Sequence, residues 1–170
     1  MAIRKIRKFG DNVLKQKTKK VGNIDEQIQE LVKDLFHTMY NAPGVGLAAN
    51  QIGVPLQVAV IDVMPEGRSK PMVFINPVIK EKYGNICEEE GCLSVPGIFA
   101  KVKRSAKVKI WALDENGREF TITLDGISAR AIEHEIDHLN GVVFVDRLTP
   151  LKKIKARLMI RKLKRHGQWK

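Results

Sequence analysis

His134 and His138 stand four residues apart in "HEIDH", and this spacing constrains the fold more than any other feature. On a helix the two rings leave from one face, about one turn apart, and offer a bite for one metal ion. Glu135 lies beside the first histidine, where its carboxylate can act as general base towards a water. Two satisfied histidines on an ordinary helix are the plainer alternative. If the pair is a metal site, its helix must press that face against a segment that brings a further donor.

The candidates for that donor are few. Downstream of His138 the one histidine is His166, and the extended H-E-x-x-H-x-x-G-x-x-H pattern is replaced by "HLNGVVF". An upstream Glu, His37 or a cysteine remain. Cys92, in "EGCLSVPG", is the best of them, because a thiolate binds Zn²⁺ or Fe²⁺ well. Gly91 permits an unusual backbone there, and Pro96-Gly97 signals a turn. The plainer reading of Cys92 is a small buried hydrophobe. With Cys87, the same residues could instead form a closed Cys₂His₂ zinc module with no open position. A disulfide across that short spacing would constrain little, and the start "MAIRKIRKFGDN" lacks a secretory signal, so reduced cysteines and a cytoplasmic protein are expected.

The surrounding elements follow from periodicity. Asp25 to Tyr40 reads as a helix with Ile28, Leu31, Val32, Leu35 and Met39 at helical spacing, stopped by "NAPG". "LQVAVID" (56–62) and "MVFINPVI" (72–79) read as strands, with "MPEGRSK" as the loop between them. "KVKIWALDENGREFTITLDG" is a hairpin turning at Asn116-Gly117. Ser128 can cap the HEIDH helix, which runs to about Asn140 with Gly141 beyond it; Ile132, Ile136 and Leu139 can face the core. Strands and helices do not alternate regularly, so the class is α+β. A length of 170 residues, 44% hydrophobic, suits one domain. No apolar run is long enough to span a membrane.

Three stretches in order, "GVGLAANQ" (44–51), "EGCLS" (90–94) and "HEIDH" (134–138), resemble the signature motifs of the peptide deformylases. Length, "FGDNVL", the first helix and the hairpin also fit, so the resemblance extends over nearly all of residues 3–165. It implies a single domain over 1–170, with mixed or antiparallel sheets around a central HEIDH helix, an N-terminal helix and a C-terminal one. It implies an enzyme that hydrolyses the formyl group from formyl-methionine of new chains and releases formate. By resemblance Cys92, His134 and His138 hold one divalent metal ion, Fe²⁺ first, with Zn²⁺, Ni²⁺ or Co²⁺ as alternatives. Glu135 matches the general base, and Gln51 and the backbone N–H of Leu93 match oxyanion donors. Gly46 matches a glycine along the substrate backbone. Gly91 belongs to the substrate site, and Val45, Ile127, Ala131 and the stem of Arg130 are expected walls for the methionine side chain. A general metallopeptidase would keep this chemistry and change the substrate. A phosphate loop at "GVGLAANQ" is set aside: it lacks the third glycine, the Lys-Ser/Thr pair and a preceding strand.

Two local expectations concern charge. Many family members have Gln before the H-E pair; here it is Glu133, either near the pocket or facing solvent. Three acids, Glu88 to Glu90, precede the cysteine, and Arg104 is expected to pair with Glu90 and Asp137 and fix the cysteine loop against the helix. A solvated charge run is the alternative.

Charge is concentrated at the ends. Residues 1–20 and 151–170 together carry +16, the middle carries −5, and the whole chain +11. The tail from Thr149 reads as an amphipathic helix to about residue 166. Leu151, Ile154, Leu158, Met159 and Leu163 form the apolar stripe expected to dock on the body. By resemblance this basic helix binds the ribosome; DNA and membrane partners are not expected. Phosphate contacts would make such binding salt-sensitive, and a solvated helix face is the alternative.

Overall fold

The computed structural model describes residues 2–63 and 67–169. Five antiparallel strands form the main sheet, in the order β1 (Gly46–Ala48), β2 (Val58–Ile61), β3 (Met72–Tyr83), β6 (Lys107–Leu113) and β7 (Glu119–Asp125). A separate antiparallel pair, β4 (Ile86–Cys92) and β5 (Val95–Arg104), leads into and out of the cysteine loop. Strand alternation divides the core. Val58, Val60, Val73 and Ile75 pack with Ile28, Val32, Leu35 and Met39 of α1 (Glu26–Asn41). Ile61, Phe74, Val108, Ile110 and Leu124 pack with Ala129, Ile132 and Ile136 of α2 (Gly126–Leu139). The HEIDH helix therefore lies against one face of the sheet, as a central α+β element.

The Asp25 side chain caps α1, accepting from the Gln27 and Ile28 amides at 3.0 and 3.1 Å. The hairpin turns where expected: the Asp114 carboxylate accepts from the Asn116 and Arg118 amides, and Gly117 takes φ 78°. Of the 64–70 loop, residues 64–66 lie outside the described residues, and Asp62 accepts from the Ser69 hydroxyl and the Lys70 amide.

Two expectations need correction. Ser128 does not cap α2. The helix begins at Gly126, whose φ of 52° turns the chain directly out of β7, and the Gly126 amide donates to the Ala106 carbonyl. Ser128 thus falls inside the first turn. On α3 (Pro150–Arg165) the docked face is Ala156 and Ile160, with Leu163 partly buried. Leu151, at 74% exposure, with Ile154, Leu158 and Met159, faces outward. The docked side is selected by the small residue Ala156, which lets α3 approach Val95, Phe144, Val145 and Leu148.

Candidate metal centre

Cys92 ends β4, and His134 and His138 sit on the inner face of α2. Their potential ligand atoms lie within 4.8 Å of one another, and Cys92 Sγ is 3.2 Å from His138 Nε2. The two imidazole centroids are 4.9 Å apart. Glu90 holds His134 Nδ1 at 3.0 Å, which leaves the other ring nitrogen of His134 for a ligand bond. One thiolate and two imidazoles at this spacing fit a divalent transition metal. Cys87 lies outside the group, exposed on β4 and opposite Lys103, so the closed Cys₂His₂ module is not built.

The pairing expected of Arg104 is present. It grips Glu90 with two bonds, 2.7 and 2.9 Å, and Asp137 with a third at 2.6 Å. Arg147, which had no signal in the sequence, also pairs with Asp137. The result is a buried chain from Arg104 through Glu90 to the His134 ring. Burial opposes charge on Glu90, but Arg104 and His134 outweigh it and bring its pKa down to about 2.

Glu133 is not part of the Cys92–His134–His138 group. It is buried, accepts from the Ser105 amide and hydroxyl, and pairs with Lys82 at 2.9 Å. It ties α2 to the turn between β5 and β6. Both readings made from the sequence, pocket and solvent, give way to this one.

Glu135 is almost completely enclosed. Burial raises its pKa to about 7, against the opposing pull of His134 and Arg104. Its Oε2 has no partner among the described residues. Gln51 is fixed at both ends: its Oε1 accepts from the Ala48 amide at 2.8 Å, and its Nε2 donates to Ser94 Oγ at 3.1 Å. The same Nε2 lies 3.7 Å from Cys92 Sγ. Its amide hydrogens therefore face the Cys92 side of the centre.

These groups open into one cavity of 640 Å³. All nine other candidates line it: Gln51, Leu93, Val45, Gly46, Gly91, Ile127, Arg130, Ala131 and Glu135. Sequence reasoning passed over Phe99, exposed at the rim and packed on Gly91, and Lys8. It also passed over Ser94, although that residue stands inside the quoted "EGCLS". In the N-terminal segment "FGDNVL" starts at Phe9 and entered only as part of the resemblance, with no site role attached. Yet the Arg7 amide donates to the Gln51 carbonyl and the Phe9 amide to the Ser94 carbonyl, both at 2.7 Å. Residues 7–9 thereby bridge two of the three motifs.

A family model described as polypeptide deformylase matches residues 3–154. The peptide deformylase of Neisseria gonorrhoeae is 48% identical over 166 residues, covering 98% of this chain and 99% of that one. That of Aquifex aeolicus is 51% identical over 148 residues, covering 86% and 88%. The crystal structure of a peptide deformylase from Legionella pneumophila superposes with a TM-score of 0.92 at 47% identity, covering 99% of both chains. One from Ehrlichia chaffeensis in complex with actinonin gives 0.92 at 37% identity, covering 97% and 99%.

Proposed function

The chain belongs to the polypeptide deformylase family, and on that premise we propose how its own residues carry out the reaction. It is a hydrolase that removes the N-terminal formyl group from nascent peptides. The family is metal-dependent, and the residues that would hold the ion are Cys92, His134 and His138, grouped as described. Fe²⁺ is the ion proposed, with Zn²⁺, Ni²⁺ or Co²⁺ able to use the same donors. When bound, the ion supplies a Lewis acid and makes a coordinated water more acidic.

Glu135 takes a proton from the water as its oxygen attacks the formyl carbon. It then passes that proton to the departing amine nitrogen as the C–N bond breaks, and formate leaves. Burial raises the Glu135 pKa in the metal-free protein, the direction that suits a group that must both accept and return a proton. The Gln51 Nε2 hydrogens and the Leu93 N–H stabilise the developing oxyanion. The substrate backbone lies extended between Val45-Gly46 and Gly91, in the manner of an added strand. Its methionine side chain rests against Val45, Ile127, Ala131 and the stem of Arg130.

The observation that carries this reading is a buried Glu135 lining the same cavity as Cys92 and His134 of the three-donor group. Formate release tests it, from protein purified without oxygen and loaded with Fe²⁺. Formyl-Met-Ala-Ser should be cleaved and acetyl-Met-Ala-Ser should not, with Glu135→Ala inactive. No release by fully loaded protein would overturn it.

For partners and location, the basic α3 is proposed as a ribosome-docking helix of an enzyme working in the cytoplasm. Among the described residues no helix is long and apolar enough to cross a membrane. The support is nine Lys or Arg in residues 151–170, beside the outward Leu151, Ile154 and Leu158. Equal ribosome pelleting with and without residues 151–170 would sink that proposal.

A further inference from the structure

We propose that Lys8 tunes the Cys92 sulfur as a metal ligand, acting through the Leu93–Ser94 peptide. This rests on Cys92 being a ligand, as read above. Lys8 is half-buried at the cavity wall, and its Nζ donates to the Leu93 carbonyl oxygen at 2.9 Å. The same peptide unit carries the Ser94 N–H, which donates to Cys92 Sγ at 3.4 Å. A cation on the carbonyl draws electron density along the amide and makes its N–H a stronger donor, because hydrogen bonds in series polarise one another. The strengthened N–H···S bond then withdraws density from the sulfur. Partners outside the ligand set tune a metal in this way.

The ammonium is separable from the structural task of its segment. Residues 7–9 are held between the Gln51 and Cys92 loops by the backbone amides of Arg7 and Phe9. Those bonds need no side chain at position 8. What Lys8 adds is charge, placed on a peptide whose N–H reaches the sulfur. The direct field acts in the same sense: burial lowers the Lys8 pKa, and Cys92 opposes that by favouring the charged form. The consequence is chemical. A thiolate leaves a divalent ion less positive than a third neutral ligand would, and Lys8 returns part of that charge deficit to the centre.

The test is the thiolate-to-cobalt charge-transfer absorption of the full chain loaded with Co²⁺. Lys8→Met should move the band to longer wavelength, because the sulfur becomes electron-richer. Lys8→Gln keeps an N–H donor without charge and should give an intermediate shift. Lys8→Arg should restore the parent position. A purely structural role would leave the band fixed in every variant with native near-ultraviolet circular dichroism, and that result would overturn the proposal. Should Lys8→Met lose native dichroism, Lys8→Gln against Lys8→Arg decides, since both keep a donor. Absence of any thiolate band in the parent protein would instead refute Cys92 as a ligand, and the functional reading with it.

Discussion

The Oε1 atom of Glu135 fills the space that a side chain at position 46 would need: a Cβ built on Gly46 lies 2.5 Å from it. The carboxylate Cδ and Cγ stand at 3.0 and 3.1 Å, so the whole end of the side chain rests on this glycine. Gly46→Ala must displace Glu135, the proposed general base, whose side chain is buried. Its kcat should fall by about 10²-fold or more, within the range for losing a positioned base. Stability should fall by about 1–3 kcal/mol, as overpacking does. Steady-state kinetics and urea titration measure the two; a parent-like kcat would mean the contact is slack.

Glu135 also predicts a pH dependence of stability in the metal-free protein. Its folded pKa is raised from 4.5 to about 7. Between those values the folded chain binds more protons than the unfolded one, so stability falls as pH rises. Glu135→Gln has no proton to lose and should flatten that slope. Melting temperatures of the two proteins, metal-free, should diverge between pH 4.5 and 7 and run parallel below it. The same substitution should cost the loaded enzyme about 10²–10⁴ in kcat while its metal content stays unchanged.

Arg104→Ala strands Glu90 in the interior and removes one of two cations from Asp137. Breaking a buried pair from one side costs about 3–5 kcal/mol. Because Glu90 orients His134, metal affinity should also drop by about 10–100-fold. Competition with a chelator reads the affinity directly. Unchanged affinity would detach the arginine from the metal centre.

Cys87→Ser should leave metal stoichiometry as it is and shift stability by no more than about 0.5 kcal/mol, as for other exposed positions. Loss of one equivalent of metal would revive the closed zinc module.

On α3, Ile160→Ala should cost about 2–5 kcal/mol, since the side chain is buried in the core beside β5. Leu158→Ser, on the outward row, should cost almost nothing in isolation. Thermal melts of the two variants would separate the faces, and a reversed order would restore the docking stripe expected from the sequence.

The parts of this molecule legible in the sequence are those with a short-range period or a motif. The α1 and α2 helices, the β6–β7 hairpin and the grouping of Cys92, His134 and His138 all belong there. The Arg104 contact was reachable because three adjacent acids demand a cation. The β4–β5 pair was not reachable: "ICEEEGC" has no alternation, and its strand character comes from pairing with Lys101 and Lys103 across the ladder. The stripe on α3 misled for a related reason. Large apolar residues make up the stripe, whereas a small one, Ala156, decides which side can approach the body. Glu133 and Lys8 were opaque because their partners, Ser105 and Leu93, lie 28 and 85 residues away.

The bridge made by residues 7–9 sets an order of assembly during synthesis. These residues leave the ribosome early, but their partners are the carbonyls of Gln51 and Ser94, and Thr18 waits longer still for Leu139. Contacts of such sequence separation form late. An enzyme that acts on nascent chains thus completes its own contacts only once residue 139 has emerged.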